Sequence, residues 1–235
     1  MNDSTRILYR AYVNTYALLA HRGYVPEDGY EMVEIGKFAA LAESWEDNTN
    51  SMWIVFEKGD LFVDVGFPGE VNKERGTSIC QHVCAGGSRG NAKRNVHVII
   101  VVSKVLPPAA PDLLNLKKQP FTRMNYIPNN RIEVFNVVTM QINPLLHSRQ
   151  PPIIRLISDE DEKEDIRSRL VAAASDKNIP LSDLLPIMYL ENPLAIWYDA
   201  FVDDVFYFVR HDGIPYFRIV KPDPQIDVGA KKKAL

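Results

Sequence analysis

Two apolar runs rich in β-branched residues, Asn95–Val105 ("NVHVIIVVSKV") and Arg131–Ile142 ("RIEVFNVVTMQI"), constrain how this chain can fold more than any other feature. Neither alternates polar with apolar, so each reads as a strand buried on both faces. Such strands need helices on both sides of the sheet. Asn2, Asp3, Ser4 and Thr5 offer N-caps, and Ile7, Leu8, Tyr12, Tyr16, Leu18 and Leu19 recur at three-to-four spacing, predicting an amphipathic helix to about His21. Gly23 ends it, with Pro26 just beyond. A second helix is expected over Glu31–Trp45. "SMWIVFEKGDLFVDVG" reads as two strands around Lys58-Gly59-Asp60, and Thr77–Cys84 as a short helix. Pro107, Pro108 and Pro111 close the first buried strand, and Pro111 is placed to open a short helix. Helices between buried strands imply an α/β domain over residues 1–146, a mixed sheet with flanking helices.

A boundary follows at "NPLLHSRQPP", Asn143–Pro152, which carries three prolines and ends the periodicity. Residues 147–222 read as a small α+β domain and 223–235 as a flexible tail. Ile153–Ile157 is a short strand. Ser158 is the expected cap of "DEDEKEDIRSRLVAAA", whose acids come first and arginines later, as the helix dipole favours. Leu185–Tyr189 is strand-like. Asn192 caps and Pro193 opens a helix over Leu194–Phe201. Val205–Arg210 and Tyr216–Val220 form a hairpin around His211-Asp212-Gly213. In its first strand Phe206 and Phe208 alternate with Val205, Tyr207 and Val209, so one set faces the core and leaves the other for a partner. No internal repeat is visible.

At 235 residues the chain fits one large domain or two small ones, and 46% apolar content is globular. A formal charge of −3 excludes a polycation, so any contact with nucleic acid is local. Two cysteines cannot build a disulfide framework, which points to a reducing compartment. No apolar run of about 18 residues and no signal-peptide core appear, so a soluble intracellular protein with no membrane contact is expected.

Catalytic chemistry finds little support. Cys80, His82, Cys84 and His97 are zinc-ligand types, but on a helix Cys80 and Cys84 share a face while His82 points away, and structural zinc sites use two-residue knuckles. Buried cysteines are the commoner reading. Asp64, Glu70 and Lys73 are the nearest carboxylate–lysine set for a metal-dependent nuclease, yet Glu70-x-x-Lys73 beside a Pro-Gly turn has no supporting spacing. "AGGSRGNAKR" lacks the Lys-Ser/Thr of a phosphate loop. No catalytic residue, metal, cofactor or small-molecule ligand is therefore expected. Arg89, Lys93 and Arg94, among Gly86, Gly87 and Gly90, form a basic loop, and Lys117 and Lys118 a second patch. Such loops are most often plain solvated surface, but they are also suited to sequence-independent phosphate contact.

Leu185-Pro186, Asn192-Pro193, Trp197-Tyr198, Arg210, and Tyr216 with Arg218 follow the order of motifs in one family. The C-terminal part resembles the assembly domain of the fifth-largest subunit shared by eukaryotic RNA polymerases I, II and III, a domain with an archaeal RNA polymerase counterpart. The seven-residue step from Pro186 to Pro193 matches, and so does "IIRLISDEDEKEDI". "RILYRAYVNTYALLAHRGY" and "SMWIVF" resemble that family's eukaryote-specific jaw domain. The chain departs from the pattern at Ile187, where the family carries arginine, around Pro151-Pro152, which lack flanking histidines, at Val202-Asp203-Asp204, where it has a basic turn, and in a shorter hairpin loop. It is thus similar to a divergent member. The resemblance implies a non-catalytic nuclear polymerase subunit, docked on the largest subunit and other subunits through Pro186, Asn192, Pro193, Tyr198, Arg210, Tyr216 and Arg218. It also implies that Arg89, Lys93, Arg94, Lys117 and Lys118 lie near downstream double-stranded DNA. The alternatives are a stand-alone protein-interaction module of the same fold and a metal-dependent nuclease.

Overall fold

The computed structural model describes residues 3–47, 53–71, 73–84, 97–105, 131–172 and 178–222. The described residues form a mixed α/β protein of two compact units, one up to Asn143 and one from Pro144 onward, each with its own mixed sheet. The expected helix at Pro111 and the tail lie outside the described residues.

In the first unit α1 (Asp3–His21) buries Tyr12, Leu18 and Leu19 of the expected stripe together with Ala11 and Thr15, while Leu8 and Tyr16 are half-buried and Ile7 is exposed. It stops at Gly23, whose φ of 83° suits a residue without Cβ. Gly23 N–H donates to Ala20 O and Tyr24 N–H to Leu19 O, closing the last turn's carbonyls. Then come β1 (Val25–Pro26), α2 (Ile35–Asp47), β2 (Trp53–Lys58), β3 (Leu61–Val71), α3 (Lys73–Cys84), β4 (His97–Val105), β5 (Arg131–Asn136) and α4 (Val137–Met140). The strands lie in the order β1-β2-β3-β4-β5. β1–β2 and β2–β3 are antiparallel; β3–β4 and β4–β5 are parallel.

The apolar run in β4 behaves as expected: Val98, Ile99, Ile100 and Val101 are fully buried on both sides of the sheet. The second run does not stay extended. Asn136 accepts from Val138 N–H at 2.7 Å and caps α4, which buries Val137 and Met140 three residues apart. A short apolar run fits either geometry, and here a polar cap inside it selects the helix. α2 starts at Ile35 rather than Glu31, and α3 at Lys73 rather than Thr77.

α1 packs on the sheet face that carries Phe56 and Phe67, with Tyr16 edge-on to Phe56 and Tyr12 5.6 Å from Phe67. The opposite face carries Asp64, Gly66 and Trp53. A Cβ on Gly66 would sit 2.8 Å from the Trp53 ring, so this approach needs glycine.

The second unit runs β6 (Ile153–Ile157), α5 (Glu160–Val171), α6 (Leu181–Leu184), β7 (Ile187–Tyr189), α7 (Pro193–Trp197), β8 (Val205–Val209) and β9 (Pro215–Lys221). Its sheet order is β6-β8-β9-β7, antiparallel except for β7–β9. Asp159, not Ser158, caps α5: its carboxylate accepts from Glu162 N–H at 2.9 Å. Asn192 caps α7 as expected, accepting from Leu194 N–H at 2.9 Å, with Pro193 in the first turn. That helix ends four residues before Phe201, because Asp199 takes φ 53° and Ala200 N–H turns back to Ala195 O. The expected strand Leu185–Tyr189 is shorter, with Leu185 serving as the extended cap of α6.

Candidate protein-docking site

Two cores lie on opposite faces of the second sheet. Alternation along β8 assigns them. Phe206 and Phe208 are 0% and 1% exposed and pack with Met188, Ala195, Ala200 and Val220 beneath α7. On the other face Ile157, Val205 and Ile219 pack with Ile166 of α5 and Leu185. The cross-strand register puts Arg155, Tyr207 and Phe217 in the next row of that face, then Ile153, Val209 and Pro215. There the cover ends. Tyr207, Phe217 and Val209 are half-buried, and Ile153 is 52% exposed. Tyr207 and Phe217 pack with ring centroids 5.2 Å apart, and the Arg155 guanidinium lies over the Tyr207 ring. This half-sheet of apolar and aromatic groups edged by arginine has the composition of a protein-binding patch.

The docking residues expected from sequence are spread over the unit. Tyr198 and Tyr216 come together at the α7 core. Tyr198 donates to Ile154 O at 3.4 Å and meets Phe206 edge-on, and burial raises its phenol above the usual pKa. Tyr216 stacks on Phe208 at 4.8 Å. Arg218 is exposed on the same face, opposite Phe206. Asn192 and Pro193 build α7. Pro186, exposed before the edge strand β7, accepts from Ile219 N–H at 3.0 Å. Arg210 sits in the hairpin turn, paired with Asp212 at 3.1 Å. Sequence reasoning does not single out Ile153, Arg155 or Phe217. The alternation on β8 signals the open set, but Val205, one of its members, is fully buried, so only Tyr207 and Val209 of that set reach the patch.

The Asp203-Asp204 link is structural. Asp204, 1% exposed, accepts from Phe201 N–H at 2.8 Å and lies 3.8 Å from the buried Lys163 ammonium. Asp203, at φ 71°, pairs with Lys221 at 2.5 Å. A cleft of about 380 Å³ beside it is lined by Lys163, Arg167 and Lys221, each already bound to Glu160, Glu164 or Asp203. Its cations are thus engaged within the unit.

In the first unit the two histidines among the zinc candidates lie apart. His82 Nε2 bonds Asp64 at 2.8 Å and stacks on Trp53 at 4.0 Å. His97 bonds Glu133 at 2.6 Å, and Arg22 grips the same carboxylate through two nitrogens at 2.8 and 3.0 Å. Asp64 pairs with Val98 in the register, so Asp64 and His97 point to opposite faces of the sheet. The two histidines therefore cannot share one metal. The side chains of Glu70, Lys73, Cys80 and Cys84 lie outside the described residues, as do Arg89, Lys93, Arg94, Lys117 and Lys118. No cluster of three metal-ligating residues occurs among the described residues. No helix among them is long and apolar enough to cross a membrane. No protein-family model matches this chain, and no curated protein matches its sequence.

Proposed function

We propose that the chain is a non-catalytic subunit of a nuclear DNA-dependent RNA polymerase, whose second unit docks on the largest subunit and whose first unit forms part of the jaw around downstream DNA. The observation that carries the reading is the open half of the second unit's sheet. It is a preformed apolar patch on Ile153, Tyr207 and Phe217, on the sheet face opposite the α7 that the Asn192-Pro193 pair of the family resemblance starts. A β platform with half-buried aromatic groups beside the exposed Ile153 suits permanent assembly, where obligate interfaces are more apolar than ordinary surface.

Affinity purification of the tagged full chain from its source cells tests this. The wild type is expected to recover the largest polymerase subunit in stoichiometric amount. Tyr207→Ser with Phe217→Ser is expected to lose it while the chain stays folded. Recovery of that subunit at equal yield by both forms, or by neither, would overturn the assignment.

A further inference from the structure

We propose that residues 25–37 of the first unit are a second docking surface, for a basic, apolar-anchored segment of a protein partner. This goes beyond the polymerase reading and does not depend on it.

The backbone of this stretch is held from beneath. Three tyrosines of α1, at positions 9, 12 and 16, bond its main chain: Tyr16 Oη donates to Tyr30 O at 2.5 Å, Val33 N–H donates to Tyr12 Oη at 3.3 Å, and Tyr9 Oη donates to Val33 O at 3.3 Å. Glu27 N–H is tied to Val55 O of β2, and Lys37 and Phe38 N–H to Glu34 O. With these main-chain groups held by the fold, several side chains of the stretch project. Val25 and Met32 are 56% and 53% exposed, Tyr30 and Ile35 37% and 36%. Four large apolar side chains in one short fixed stretch are more than scattered surface residues explain. A fixed backbone also lowers the ordering cost of binding.

Charge names the partner. The same stretch carries Glu27, Asp28, Glu31 and Glu34 against a single Lys37. Asp28, Glu31 and Glu34 form no ion pair among the described residues. By contrast, four acids of α5 are paired: Glu160 with Lys163, Glu162 with Arg155, Glu164 with Arg167, Asp165 with Arg169. Carboxylates around exposed apolar groups complement lysines or arginines flanking apolar anchors, and they repel a phosphate backbone.

The test uses the full chain and a fluorescein-labelled amphipathic peptide of leucine and lysine, with binding read by anisotropy across a salt series. Met32→Ser with Ile35→Ser is expected to weaken binding about tenfold or more at every salt concentration, as for removal of central anchors. Asp28→Asn, Glu31→Gln and Glu34→Gln together are expected to weaken it at low salt and flatten its salt dependence. Asp60→Asn, Asp161→Asn and Asp183→Asn, which change net charge equally on exposed sites elsewhere, are expected to leave it unchanged. Equal loss in the two charge-neutralised triples would reduce the effect to overall charge and overturn the proposal. So would peptide binding indifferent to Met32 and Ile35. Self-association of the chain that these apolar changes abolish, without peptide binding, would assign the surface to a second copy instead and equally overturn it.

Discussion

Phe206 and Tyr207 are neighbours with different jobs, and alanine separates them. Phe206→Ala opens a cavity in a sealed core and is expected to cost about 3–5 kcal/mol. Tyr207→Ala removes a half-buried ring on the open face and is expected to cost about 1 kcal/mol. Chemical denaturation of the two variants checks this, and equal losses would contradict the assignment of faces. Arg22 and Glu133 give a second contrast. Their side chains are 2% and 11% exposed, and His97 shares the carboxylate. Arg22→Met strands a buried charge and is expected to cost about 3–5 kcal/mol, and adding Glu133→Leu is expected to recover most of that loss. A double mutant no more stable than the single would contradict it. Tyr16 gives a pH dependence. Burial, then its bond with Tyr12, raises its phenol above the ordinary value near 10. The folded state therefore holds this proton more tightly than the unfolded chain does. Its stabilisation is complete below pH 10 and is lost as pH rises beyond. Tyr16→Phe is expected to flatten the alkaline limb of stability against pH, and an unchanged limb would contradict this.

At the scale of elements, the parts legible in the sequence are those where one periodicity dominates. α1 shows a helical period ended by glycine, although Ile7 of the expected stripe is exposed, and β2–β3 and β8–β9 show strands around turn residues. Boundaries shift where two local signals compete. Ser158 and Asp159 are both capping types, and the chain uses the second; Asn136 lies inside an apolar run and turns it helical. The open face is only half legible, because both alternating sets on β8 are apolar and only α5 and α7 decide which stays open. The Arg22–Glu133–His97 cluster leaves a fainter trace, an acid and a histidine inside otherwise apolar strands, since its members are more than a hundred positions apart in part. The second unit closes two cores of its own, so a fragment of residues 144–222 is expected to fold alone, near the lower size limit for a stable domain. Dispersed amide resonances would bear this out; random-coil shifts would contradict it.

At the scale of the whole molecule, the proposed docking role of the second unit and the proposed jaw role of the first can be tested separately. If Arg89, Lys93 and Arg94 touch downstream DNA, replacing all three by alanine is expected to flatten the slope of log affinity against log salt by up to about 2.7. Assembly through the second unit is expected to stay intact. An unchanged slope would return the loop to ordinary surface without touching the assembly claim. That central claim, membership of a polymerase, is tested most directly by size fractionation of native extract with template-directed RNA synthesis assayed across the fractions. The account predicts that the chain peaks with RNA synthesis in an assembly of many subunits. A chain that migrates at its own mass of 26.7 kDa, or in an assembly that makes no RNA, would contradict it.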